Sequence, residues 1–403
     1  MRKCILSFLC VLTSTLLHAQ INHIWITHPK NKSDSVAISW YSREKGDSTV
    51  FYGTDKNNLT EKSDKNSEPK NLHHVEIPLD KKDCTYYYYV KTGTQQTPVY
   101  SFKSYPSSAG ELCVAFVGNI GYTRFDKFNP LENLKKFSDP HLIVSCGDNI
   151  PSLHLTRNNS APVPLDDITA FLQLIEKAPA VFRSTIFMPI LGNHDKEFRG
   201  RFKKRPNLPT CVYDIDSTAY CKFFALPEKE WCWTLNIPQF DLQLVALDLC
   251  HLSDVGTGHQ ACHMFHLGSE QFRWYEKIMA NSKSKYLLTL YNSGNRNTRK
   301  IFSGIWRPNL EKGSACICGF GYFMECAKMR DNGFTYLNTS LSVGDPLFDK
   351  YNSIYSKQIS GYVLATFNKN KTPMFDLRST EKNESLLKTE IKARFYHCIN
   401  KDE

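Results

Sequence analysis

The 403-residue chain carries no internal repeat, no low-complexity tract and no long block of like charge. Solenoids and disordered polyelectrolyte tails therefore find no support. After residue 17 it also has no apolar run approaching the roughly 20 residues that a membrane-spanning helix needs. Charged residues make up only 22% and hydrophobic residues 41%, the balance of a chain that buries a core. What it has in excess is aromatic side chains, at 13%, and positive charge, a formal +10. That surplus favours anionic ligands without naming one. The length allows one large domain and a smaller one.

Arg2 and Lys3 precede the apolar run CILSFLCVLTSTLL, and His18-Ala19 offers a small residue for cleavage before Gln20. This order predicts a secretory signal over 1–19, too short for a membrane span. Phe8 and Leu9 before Cys10 are too bulky for a lipoprotein box. The mature chain is expected to be secreted or periplasmic, with no transmembrane segment once the signal is gone. Two of the 14 cysteines, Cys4 and Cys10, would leave with it. Most of the remainder are expected to pair in an oxidising compartment. Cys211/Cys221/Cys232 and Cys316/Cys318/Cys326 are the candidate clusters, with connectivity open.

Two textures follow. Residues 22–105 alternate apolar and polar in short segments (SVAISWYS, TVFYGT, HHVEIPL, CTYYYYVKTG, PVYSFKS), which predicts a β-sandwich. SYPSSAG, 104–110, reads as a linker. From Glu111, buried strands (CVAFVG, HLIVSCG, TIFMPILG, LQLVALDL, KYLLTLY, SACICG) alternate with amphipathic helices (PLENLKKF, DDITAFLQLIEKA, SEQFRWYEKIMAN). This predicts an α/β domain over 111–380, with 381–403 as a C-terminal tail. Chemistry in such domains gathers where strands end.

Five motifs sit at such ends: VGNIG (117–121), CGDNI (146–150), LGNHD (191–195), YNSG (291–294) and CGFGY (318–322). Their order resembles the metallophosphoesterase (calcineurin-like) superfamily and, within it, the purple acid phosphatases. The segments ISWY, VFYGT and TYYYYVKTG look like the fibronectin type III-like domain those proteins often carry. The stretches 213–249 and 267–277 resemble the family's middle region. The resemblance implies a two-sheet sandwich with flanking helices behind an all-β domain. It also implies hydrolysis of phosphate monoesters on two di- or trivalent ions, iron, zinc or manganese.

Position by position, the resemblance carries over unevenly. Asp148 matches the bridging carboxylate, Asn193 the amide ligand, and His194 the residue that stabilises the leaving group. Asn119 stands where a ligand Asp is expected, and Pro151 where a Tyr is expected. Tyr291 or Asn292 stands where a single His is expected, and Phe320 and Tyr322 where a His pair is expected. One carboxylate and one neutral amide cannot offset the charge of two such ions. No cofactor is therefore expected. Without the metal pair, Asp148 and Asn193 read either as hydrogen-bond partners of loop backbone or as contacts for a ligand or a single ion.

Two further clusters stand near these motifs. KEFRGRFKKRP holds Lys196, Arg199, Arg201, Lys203, Lys204 and Arg205 beside LGNHD. It reads either as a site for phosphate, sulfate or acidic glycan, or as a solvated loop. Nucleic acid is excluded by the export signal and by the lack of a stacking platform. The segment 250–266 holds Cys250, His251, His259, Cys262, His263 and His266. It reads either as a loop fastened by a Cys250–Cys262 disulfide or as a zinc site built from His259, His263 and His266. The functions that follow are a catalytically impaired phosphoesterase that binds an anionic ligand or a protein partner, an active divergent acid phosphatase, or a hydrolase with a rebuilt zinc site.

Overall fold

The computed structural model describes residues 21–64, 68–125, 128–153, 166–200, 213–249, 261–293, 305–344 and 352–394. The signal-like segment lies outside them. Two large sheets pack face to face, one of nine strands and one of seven, which is the two-sheet α/β architecture expected from the sequence.

At the centre of the larger sheet, Leu112–Val117, Leu142–Ser145 and Ile186–Pro189 run parallel. Their near-continuous apolar sequences suit strands covered on both faces. The crossover helix Pro130–Ser138 starts where it does for two local reasons. The Asn129 side chain accepts the Leu131 and Glu132 N–H groups, and Pro130 occupies the first helical turn. An antiparallel meander of Gly361–Phe367, Met374–Ser379 and Ser385–Glu390 completes one flank. The sheet thus continues past residue 380, and the expected tail begins later than its sequence suggested.

The other flank comes from the N-terminal region. His23–Thr27 runs parallel to Ile186–Pro189, and Ser35–Gly46 and Lys70–Pro78 extend the sheet from there. The remaining N-terminal strands, among them Ser48–Asp55 and Thr85–Thr92, form a separate small sheet. The all-β expectation for this region therefore holds, but the region is ladder-bonded into the main sheet rather than joined to it only by a linker. Trp25, fully buried, stacks on Phe223 at 4.1 Å across this join.

In the smaller sheet, Leu242–Leu247, Tyr286–Tyr291, Ala315–Cys318 and Thr335–Asn338 are parallel. Alternate residues divide between its two faces, as strand geometry requires. Leu244, Leu288, Leu290 and Ile317 enter the core between the sheets. Val245, Leu287, Tyr291 and Cys316 enter a second core, which also contains Tyr275 and Met279 of the helix Glu270–Asn281. The two sheets approach closely at their strand ends, where a Cβ on Gly118 would lie 2.5 Å from the Gly319 Cα. Only glycine permits that approach. Among the described residues no helix is long and apolar enough to cross a membrane.

Candidate functional site at the strand ends

The loops that follow the parallel strands converge beside this glycine contact. Three of their residues, Asn119, Asp148 and Tyr322, hold left-handed backbone with φ of 53°, 55° and 61°. Non-glycine residues adopt that region at a cost, and such strain clusters at functional sites.

Asp148 is buried, and its Oδ1 accepts the His194 N–H at 3.2 Å. Gly192 lies so close that a Cβ there would stand 2.1 Å from the Asp148 nitrogen. Burial pushes the Asp148 carboxyl up to about 7, against the pull of the His194 N–H, Lys196 and the Asn292 amide. Asp195 ties LGNHD to CGDNI. Its carboxylate accepts the Gly192 N–H at 2.8 Å and the Asn149 N–H and amide at 2.9 and 2.8 Å. Burial, then the charge of Asp148, raises Asp195 to about 7 as well. The acid of the GNHD motif is therefore a fastening between loops.

Asn119 is held from behind by hydroxyls. Its amide donates to Ser340 Oγ at 3.1 Å, and its carbonyl accepts from Ser342 Oγ at 2.7 Å and Thr123 Oγ1 at 3.2 Å. Its Oδ1 is buried with no hydrogen-bond partner, a free acceptor of the kind that calls for explanation.

Asn292, and not Tyr291, faces Asp148. Tyr291 is the last residue of its strand and enters the outer core beside Tyr275 and Trp306. The Asn292 amide donates to the Cys146 carbonyl at 3.0 Å and the Gly319 carbonyl at 2.8 Å. Of the two residues offered for the expected single-His position, it is therefore Asn292 that lies beside Asp148 and Tyr291 that turns away, since neighbours on a strand point to opposite faces.

Two tyrosines and His194 group beside these residues. The Tyr122 hydroxyl lies 3.1 Å from His194 Nδ1, and the two rings meet edge to face at 4.9 Å. Tyr322 meets Tyr122 edge to face at 5.9 Å. Burial, then the nearby Asp148, pushes the Tyr322 phenol up to about 12, and burial lowers the His194 imidazole. Tyr122 was not singled out in the sequence, where the only sign of it is an aromatic three residues after Asn119. Phe320 is half-buried, with its N–H donated to Asn338 Oδ1 at 3.0 Å. Pro151 is exposed.

The basic run departs from expectation where it is described. Lys196 is 2% exposed and its Nζ lies 2.8 Å from Asp248 Oδ1, so it forms an interior ion pair rather than an anion-facing surface group. The Arg199 side chain and residues Arg201, Lys203, Lys204 and Arg205 lie outside the described residues. The same holds for Cys250, His251 and His259. His263 and His266 are not brought together: His263 Nδ1 meets Asp248 Oδ2 at 2.8 Å, and His266 Nδ1 meets its neighbour's carbonyl. Among the described residues no group of three or more His, Cys, Asp or Glu is placed to hold a metal ion. The nine described cysteines all carry free thiols, Cys221, Cys232, Cys262, Cys316, Cys318 and Cys326 among them. The expected pairing is therefore not met among them.

Residues 21–104 match the family of the purple acid phosphatase N-terminal domain. No curated protein matches the chain in sequence. Among solved structures, the chain is similar to the purple acid phosphatase PPD1 from yellow lupin (Lupinus luteus) seeds, with a TM-score of 0.67 and 13% identity. That match covers 93% of this chain and 74% of the lupin chain. PhoD is similar at a TM-score of 0.64 and 13% identity, covering 94% of this chain and 91% of its own. The fold is that of a purple acid phosphatase-like metallophosphoesterase.

Proposed function

We propose that this chain is an exported, catalytically impaired member of that fold, which uses the strand-end cleft to bind an anionic ligand or a partner. The observation that carries the reading is the set of side chains around Asp148. Asn292 turns its neutral amide toward the Cys146 and Gly319 carbonyls and Asp148, Asn119 offers one neutral oxygen, and Tyr322 keeps its proton near neutrality. Two di- or trivalent ions need several anionic or imidazole donors to offset their charge. The donors present do not fit that pair. The anionic class rests on the formal charge of +10 and on the basic run that leaves LGNHD.

The test is metal content after purification without added metal, together with hydrolysis of a phosphate monoester under added iron, zinc or manganese. The expected result is substoichiometric metal and negligible turnover. Combined Asn119→Asp, Asn292→His, Phe320→His and Tyr322→His should raise metal affinity. Robust turnover by the unmodified protein, abolished by Asp148→Asn, would replace this reading with a divergent acid phosphatase.

A further inference from the structure

Away from the cleft, the segment before the helix Glu270–Asn281 assembles a thiol, an imidazole and a carboxylate in series. Cys262 Sγ lies 3.8 Å from His263 Nε2, and His263 Nδ1 lies 2.8 Å from Asp248 Oδ2. The carboxylate is fully buried and fixed from several sides. Lys196 Nζ lies 2.8 Å from its Oδ1, and the Asp248 backbone exchanges hydrogen bonds with the Gln271 side chain at 2.7 and 2.9 Å. Burial alone would raise the Asp248 carboxyl, but Lys196 and His263 outweigh it and hold it below its ordinary value. Asp248 therefore stands as a carboxylate behind the imidazole. Trp231 lies flat on the His263 ring, 3.7 Å between centroids and 4° between planes, which fixes the plane in which Nε2 points. A nucleophile within reach of a base, with the base oriented by a third group, is the arrangement that activates weak nucleophiles.

We propose that Cys262, His263 and Asp248 form a base-assisted nucleophile, and that Cys262 is a modification site that takes up small disulfides by exchange. The Cys262 sulfur attacks one sulfur of the disulfide while its proton passes to His263 Nε2. A Cys262–sulfur bond forms and the reagent's S–S bond breaks. The departing thiolate then takes the proton from His263. The disulfide is reduced to one thiol and one mixed disulfide, so electrons and protons balance. His263 is the general base and Asp248 its positioning residue. Burial pushes the Cys262 thiol up to about 12, with Lys196 and the Ser217 hydroxyl acting against it and Asp248 and Asp216 acting with it. The thiol is thus not a preformed thiolate, and transfer of its proton to His263 is the route by which it reacts near neutral pH.

The test uses the full chain, mildly reduced without denaturation, and the aromatic disulfide dithiobis-nitrobenzoate as probe, with each cysteine's rate read by peptide mass spectrometry. Cys84, also half-buried but hydrogen-bonded to Ser104 rather than to an imidazole, is the internal reference. Cys262 should label roughly tenfold or more faster than Cys84 at neutral pH. His263→Ala should remove that advantage while leaving Cys84 unchanged. The His263 side chain is 19% exposed and stacks on Trp231, so an unchanged Cys84 rate in this variant is what separates loss of the base from general loosening. A Cys262 no faster than Cys84, one locked in a disulfide that resists reduction, or one whose rate climbs tenfold per pH unit to pH ~10 with or without His263 would overturn the proposal.

Discussion

The Lys196–Asp248 pair joins the two sheets, and breaking it should cost more than any surface ion pair of this protein. Lys196 leaves the loop after Ile186–Pro189 in the larger sheet, and Asp248 follows Leu242–Leu247 in the smaller one. Their side chains are 2% and 0% exposed, with N–O at 2.8 Å. Water cannot take over for a missing partner at that depth. Removing one member of a buried pair leaves an uncompensated charge and costs about 3–5 kcal/mol, against about 0–1 for an exposed pair. Asp248→Asn should fall in the upper range, because the Lys196 ammonium then loses the carboxylate 2.8 Å away. Lys196→Met should cost less, about 2–3 kcal/mol, because the His263 ring nitrogen remains 2.8 Å from Asp248 as a hydrogen-bond partner. The double variant strands neither charge and should cost clearly less than the sum of the single changes.

The measurement is urea unfolding of all four proteins, with the coupling taken from the double-mutant cycle at constant slope. The Lys30–Glu76 pair, with side chains 62% and 37% exposed, serves as control, and Lys30→Met should stay within about 0.5 kcal/mol of the parent. Single variants at Lys196 and Asp248 that match this control, or an additive double variant, would refute the assignment of Lys196 to the interior.

Three other outcomes follow from single positions. His28 is fully buried, with Nδ1 2.6 Å from the Ser35 carbonyl and Nε2 2.8 Å from the Tyr105 hydroxyl, and burial lowers it to about 4. Its unfolded value is near 6.5, so the unfolded chain binds the proton first; stability is full above that value, declines by about 3 kcal/mol as pH falls to about 4, and then levels off. Urea titrations across that range should show the slope, reduced in His28→Gln. Gly192→Ala places a Cβ 2.1 Å from the Asp148 nitrogen, against backbone that cannot yield cheaply, and should cost about 1–3 kcal/mol or more in thermal unfolding. Ser269→Ala removes the hydroxyl that accepts the Phe272 N–H at 3.2 Å and should cost about 1 kcal/mol by the same assay.

Much of the fold was legible because its signals are local. Apolar runs such as LCVAFV and LIVS, separated by amphipathic helices with Asn129 and Ser269 at their caps, specify parallel strands and crossovers without reference to the rest of the chain. What escaped is the partner of the first strand. HIWIT is buried on both faces from Ile24 onward, a pattern that says the strand is covered but not by what, and its pairing with Ile186–Pro189 depends on a long-range contact that neither segment names. The strand Ser385–Glu390 was missed for a related reason. Its sequence, SLLKTE, is a polar edge strand, and edge strands carry charge to resist further pairing, which makes them look like tails.

The site divides along the same line. The strand-end motifs announced Asp148, Asn119 and His194, because glycines and a buried acid at those ends serve close approach whatever the chemistry. Direction of side chains was harder. At YNSG the sequence offers Tyr291 and Asn292 as neighbours, and a strand sends neighbours to opposite faces, so one residue of register decides whether the cleft receives a ring or an amide. The pairing of Leu290 with the inter-sheet core settles that register: Tyr291 must face outward, and Asn292, just past the strand, turns back onto Cys146 and Gly319. Lys196 failed to stand out for the opposite reason. Its neighbours in KEFRGRFKKRP make it one cation among several, and only a carboxylate at the end of a strand in the other sheet draws it inside. Charge read along a sequence is a surface property by default. It becomes an interior one when a partner of opposite sign is buried within reach, and that partner lies where tertiary structure, not spacing, puts it.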